Sequence, residues 1–246
     1  MEELDQADEL QSMFTALENA ACRLGFDGVL YSYVPSVVSE SLEKYSPVFI
    51  KTDSYDNAYI QHYMEAGFAE HDFTVKRISA GVLQPINWWQ EVENKTLSCK
   101  EKHIIDVARH DYHLCHGATI PTLYNIDGAA GISVISLDRS QSFTTLYQNN
   151  LKSLRTIGRH FSDRVLLSAK YRGGFYLPFL QKLSATQQQV LKGLALGQHL
   201  KKIAADLNIS YRYACNVVDQ LREKFGHVSR ERMMYMAGLM GFDALV

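Results

Sequence analysis

A chain of 246 residues with 46% hydrophobic and 21% charged residues has room for one large domain or two and too much apolar content to stay disordered. Apolar runs such as Gly131–Leu137 are far shorter than the roughly 20 residues a membrane-crossing helix needs, and the acidic start Met1-Glu2-Glu3-Leu4-Asp5 lacks the features of a secretory signal, so a cytoplasmic protein that meets no membrane is expected. The net charge of -2 conceals a split: residues 1–173 hold 16 Lys and Arg against 22 Asp and Glu, or -6, and residues 174–246 hold 9 against 5, or +4. A small basic part behind a large acidic one is the footprint of a nucleic-acid module carried by a domain with a different partner.

In chain order, Leu10, Phe14, Leu17, Ala21 and Leu24 recur at helical spacing up to Gly25, which predicts an amphipathic helix over residues 6–24. Strands are predicted at Gly28–Val34 and Pro47–Ile50, then helices at Asn57–Ala66 and Cys99–Tyr112. Gly117–Tyr124 and Ala129–Leu137 read as neighbouring strands joined through Asn125-Ile126-Asp127-Gly128, because an Asp-Gly pair tolerates the positive φ of a tight hairpin. Gln141–Lys170 reads as one long helix. Helices bracketing antiparallel strands define an α+β class, an α/β/α sandwich over residues 1–172, followed by a loop or linker at 173–182. From 183 to 246 all elements read helical: Thr186–Leu196, Leu200–Leu207, Tyr211–Phe225 and Glu231–Met240, the last three closed by turns or by Gly226 and Gly241.

Within that last part Ile203, Ala204 and Leu207 share one helix face, Asn208 makes a tight turn, Ile209 plugs the corner and Ser210 is a suitable N-cap for the next helix. Ala214, Val217, Val218, Leu221 and Phe225 form the buried side of that helix, and Arg212, Asn216, Asp219 and Glu223 the opposite side, flanked by Cys215 and Gln220. The run Leu183-Ser184-Ala185-Thr186-Gln187, Ile203-Ala204-x-x-Leu207-x-Ile209-Ser210, Lys224-Phe225-Gly226, Arg230 and Gly241-Phe242 resembles the LuxR-type helix-turn-helix. The resemblance implies double-stranded DNA with a palindromic site as a partner, read by a homodimer. Arg212 and Asn216 are then candidates for base edges, Tyr211, Cys215 and Asp219 for the same surface, and Lys201, Lys202 and Lys224 for the phosphate backbone. Gln187 stands where the family has an acid that pairs toward Arg230.

Further upstream Tyr55, Tyr59 and Tyr63 step by four along one helix stripe, followed by Asp72-Phe73-Thr74 and Pro85-Ile86-Asn87-Trp88-Trp89. Phenols, a carboxylate and indole N–H groups on an apolar wall describe a small-molecule pocket, and a tyrosine-rich core helix accounts for the stripe equally well. The order Leu24-Gly25-Phe26, the tyrosine run, Asp72-x-Thr74, Pro85-x-x-Trp88 and Gly117-Ala118-Thr119-Ile120-Pro121 resembles the autoinducer-binding domain of LuxR-type quorum-sensing regulators. By that resemblance Asp72 accepts a ligand amide, Tyr55 donates to an acyl carbonyl, Tyr63 and Trp88 pack on an acyl-homoserine lactone or related autoinducer, and Thr74 belongs to the same wall. Tyr59 replaces the family's tryptophan, Phe73 its proline, and Val134 a strand Ser or Thr near the acyl carbonyl, which implies an altered pocket of the kind found in regulators without a partner synthase.

The clustered His103, His110, His113 and His116 match no metal-ligand spacing, and the four cysteines no disulfide framework or zinc ribbon. Neither metal nor cofactor is expected beyond the signal, and no nucleophile–base signature of an enzyme is present. The rival reading is an interaction protein that sequesters a related regulator by heterodimerisation without touching DNA, for which Asp219, Glu223 and Gln187 argue.

Overall fold

The computed structural model describes residues 2–35, 47–94, 97–125, 128–137 and 143–240. These divide into two compact units, the first formed by 2–34 and 47–164 and the second by 165–240.

The first unit is built on a five-stranded antiparallel sheet of order β2-β1-β5-β4-β3. Its strands are β1 (Gly28–Pro35), β2 (Val48–Lys51), β3 (Ile86–Asn87), β4 (His116–Asn125) and β5 (Gly128–Ser136). All nine residues of central β5 are buried. Covering both faces explains why this strand is made of small and apolar residues, with Ser133 and Ser136 its only hydroxyls, and shows no alternation of exposed polar positions. One face carries α2 (Leu10–Arg23) and α7 (Phe143–Leu167), where Phe161 meets Phe14 and Tyr31 edge to face at 6.1 and 4.9 Å. Against the other lie α3 (Asn57–Glu65), a 3-10 turn at Phe68–Glu70, α4 (Phe73–Ser79), α5 (Trp88–Glu93) and α6 (Cys99–His110). The α/β/α sandwich is therefore present.

Several boundaries differ from the sequence reading. The helix expected over 6–24 is α2 and starts only at Leu10, a separate α1 (Glu2–Gln6) precedes it, and Arg164 of α7 donates to the carbonyls of Leu4, within α1, and Ala7, just after it. The short helices α4 and α5 were not anticipated; each starts from a side-chain cap, Asp72 and Asn87 respectively, and is too short to show periodicity. Ile126 and Asp127 of the expected hairpin, and Gln141 and Ser142 at the expected start of α7, lie outside the described residues.

In the second unit the stretch read as a loop and linker is helical: α8 (Ala169–Leu180) contains Gly173 and Gly174. Two glycines cost about 2 kcal/mol of helix propensity, and burial of Phe175, Tyr176 and Leu180 outweighs it. Beyond it α9 (Ala185–Ala195), α10 (Leu200–Asp206), α11 (Tyr211–Lys224) and α12 (Arg230–Leu239) form the expected four-helix array. Phe179 of α8 meets Phe225 edge to face at 5.1 Å. Gly241 and Phe242, quoted above for the helix-turn-helix resemblance, lie outside the described residues.

Candidate functional site

Four elements converge on an aromatic cavity in the first unit. The step of four along α3 turns Tyr59 and Tyr63 inward, Tyr55 precedes that helix, and all three phenols are buried. Tyr63 Oη donates to Asp72 Oδ2 at 2.9 Å, and Tyr55 Oη to the Ser133 carbonyl of β5 at 3.2 Å. Asp72 Oδ1 accepts from the Thr74 hydroxyl and the Thr74 amide, both at 2.7 Å, which makes the carboxylate the N-cap of α4 as well as a wall of the cavity. Trp88, at the start of α5, donates its indole N–H to Thr119 Oγ1 at 2.9 Å, and Thr119 shares a 2.9 Å hydrogen bond with Ser133 Oγ. The ring lies flat against β4 because residue 117 is glycine: a Cβ there would fall 2.3 Å from the indole.

Tyr59 differs from its neighbours. Its ring packs on Tyr63 and Tyr112 at 6.1 and 5.2 Å, and among the described residues its hydroxyl has no hydrogen-bond partner. Burial, with the Asp72 carboxylate and Tyr112 adding to it, pushes this phenol well above its ordinary value, so it stays protonated and faces the cavity as a donor. Burial raises Tyr55 and Tyr63 in the same sense, and the Asp72 carboxylate adds to it for Tyr63.

Six of the seven predicted pocket residues, Tyr55, Tyr59, Tyr63, Asp72, Thr74 and Trp88, line this one cavity. Val134 does not. Consecutive strand residues point to opposite faces, and it is Ser133 that lines the cavity while Val134 lies fully buried outside its lining. The hydroxyl that the sequence reading found missing is therefore present one residue earlier, and only the parity of β5 relative to the sheet could have located it. Ile104 and Ile105 of α6 also close the wall; the sequence reading predicted their helix without assigning either residue to the pocket. The enclosed space is about 50 Å³. That holds a few water molecules and is well below the ~300–1,000 Å³ of small-molecule pockets, so a larger ligand must displace side chains as it enters.

In the second unit a tight turn joins α10 to α11. Asn208 adopts φ 54 at the turn, and Ser210 Oγ accepts from the Tyr213 amide at 3.1 Å to cap α11. Ala214, Val217, Val218, Leu221 and Phe225 are buried; Lys201, Lys202, Tyr211, Arg212, Asn216, Asp219 and Glu223 are exposed, and Cys215 and Lys224 are half-buried. Asp219 pairs with Arg222 at 3.3 Å. The link that the family's acid makes toward Arg230 has no counterpart here: Gln187 accepts from Lys224 Nζ at 3.2 Å and donates to Gln220, and Arg230 Nε is buried with no partner among the described residues. A neutral amide cannot hold a guanidinium as a carboxylate does, and Lys224 lies within reach of its oxygen.

Among the described residues no helix is long and apolar enough to cross a membrane, and no group of three or more His, Cys, Asp or Glu is arranged to hold a metal ion.

The model of the autoinducer binding domain family matches residues 9–165. The chain belongs to that family, whose members are signal-binding regulators of quorum sensing and not enzymes. No curated protein sequence matches it. Its fold is shared with Escherichia coli SdiA in a crystal of space group P6522, at 15% identity and a TM-score of 0.56, over 98% of this chain and 94% of that one. SdiA in complex with octanoyl-rac-glycerol gives 14% identity and a TM-score of 0.52 over 96% and 91% of the two chains. The N-acylhomoserine lactone dependent LuxR family factor CepR2 from Burkholderia cenocepacia is similar to this chain at 14% identity and a TM-score of 0.49, over 63% of this chain and 86% of that one.

Proposed function

We propose that this quorum-sensing regulator binds an acyl-homoserine lactone or a related chain-bearing signal in the Tyr59–Asp72–Trp88 cavity and controls transcription as a homodimer on palindromic DNA. The observation that carries the ligand half is the convergence of a buried phenol with no hydrogen-bond partner among the described residues, a carboxylate and an indole on one apolar cavity. A ligand carbonyl suits the Tyr59 donor and a ligand amide suits Asp72. Octanoyl-rac-glycerol, the ligand of the SdiA complex named above, likewise joins a polar head to an apolar tail. For the DNA half the support is the Ser210-capped helix α11, whose exposed side bears Arg212 and Asn216 near its N-terminus, with Lys201 and Lys202 exposed on α10. Dimerisation through α7 and α12 would place two such helices about one DNA turn apart, in a cytoplasmic protein.

A gel shift with a palindromic site, run with and without an acyl-homoserine lactone, tests the reading. A retarded band whose intensity changes with the lactone is expected; no band at any salt concentration overturns DNA binding. The second reading, heterodimeric sequestration of a related regulator, draws on the exposed Asp219 and Glu223, since each opposes phosphate. It predicts no band with this chain alone and loss of a related regulator's band when the two are mixed.

A further inference from the structure

A second, smaller cavity adjoins the first. The two share Ser32 of β1 and Thr74 and Val75 of α4, and the second continues past them to Val34, Ile78 and Ser79. Its floor is the β5 run Ala129, Ala130 and Gly131, where small residues leave the space that larger ones would fill: a Cβ on Gly131 would already stand 3.1 Å from Ile78 Cδ1. The volume is about 10 Å³, close to that of one water. With an approximate strand rise of ~3.3 Å per residue, the step along β1 from Leu30 in the first cavity to Val34 in the second is some ~13 Å. A chain that has its head at Asp72 and Tyr59 and runs beneath Ser32 therefore ends in this compartment.

The compartment is apolar except for its hydroxyls. Thr74 Oγ1 is bonded to Asp72. Ser79 Oγ, by contrast, is buried and has no hydrogen-bond partner among the described residues. A buried hydroxyl without a partner is costly, and a site that carries one favours a ligand able to complete it over the same ligand lacking the group.

We propose that Ser79 is a specificity residue that reads a polar substituent, a hydroxyl or carbonyl, near the far end of the signal's chain. The inference rests on the first cavity being the signal site. The natural ligand is then a chain oxidised toward its tail, and a plain alkyl chain leaves Ser79 unsatisfied. The test uses the full-length protein and two probe series, straight-chain N-acyl homoserine lactones of increasing length and the same lactones with a terminal hydroxyl, with binding followed by calorimetry on wild type and Ser79→Ala. At the chain length that reaches Ser79, the hydroxylated lactone should bind wild type roughly fivefold tighter than the plain one. In Ser79→Ala that preference should vanish or reverse while the plain lactone binds at least as well as before, which also shows that the variant is folded. A hydroxyl preference of equal size in both proteins, or none in wild type although plain lactones bind, overturns the role of Ser79. Failure of both series to bind wild type instead overturns the lactone reading of the first cavity, and this inference with it.

Discussion

Asp72 joins two functions in one carboxylate: Oδ1 caps α4 through the Thr74 amide, and Oδ2 holds the Tyr63 phenol. Asp72→Asn keeps the capping oxygen but replaces Oδ2 with an amide group that cannot accept from Tyr63 or from a ligand N–H. The variant should lose about 1–2 kcal/mol of stability in urea denaturation and bind an amide-bearing lactone at least about tenfold more weakly by calorimetry; undiminished binding means the amide points elsewhere. The tyrosines also set a pH limit. Burial raises Tyr55, Tyr59 and Tyr63 above the ordinary phenol value of 10.0. In the unfolded chain these groups ionise near that value, whereas in the folded one they keep their protons. The unfolded state therefore binds fewer protons above that pH, and stability falls as pH rises. Each phenol contributes a slope of up to about 1.4 kcal/mol per pH unit. Denaturation curves taken on either side of the phenol range check this, and Tyr59→Phe should flatten the fall. At this scale the tyrosine stripe and Asp72 were legible because helical spacing and a family pattern mark them. Ser133 was not, since a single strand residue carries no sign of which face it meets.

Among the elements, β4 and α5 meet at one glycine. Gly117→Ala would put a methyl 2.3 Å from the Trp88 ring, and shifting a buried indole that is hydrogen-bonded to Thr119 should cost about 1–3 kcal/mol and weaken ligand binding together with thermal stability. A variant as stable as wild type would show that the ring is free to move. On α11, Ser210→Ala removes the N-terminal side-chain cap, with an expected loss of about 1 kcal/mol and weaker retardation in the gel shift. The longer helices were readable from sequence because their caps and apolar periodicity agree. α8 was misread because Gly173-Gly174 signals a loop locally, and only the burial of Phe175, Tyr176 and Leu180 shows why the helix persists.

For the whole molecule, the near-neutral charge is a cancellation between an acidic signal-binding part and a basic helical one. With Asp219 and Glu223 exposed on α11 and Arg222 engaged by Asp219, one copy should hold DNA weakly. Retardation should therefore rise steeply with protein concentration and fall with salt. Asp219→Asn removes a charge that opposes phosphate and releases Arg222, so it should strengthen retardation several-fold; no change would place this face away from the DNA. The sequence by itself determined the antiparallel sheet between helices, the all-helical second part, the buried side of α11 and six of the residues that line the cavity, because periodicity, caps and spacing are local and survive without neighbours. The tertiary structure alone decided that Ser133 and not Val134 meets the cavity, that Gln187 turns to Lys224 and not to Arg230, and that a second compartment leads to Ser79. Strand parity, partner choice and enclosed space each depend on which elements come to lie beside one another, and no single stretch of chain encodes that.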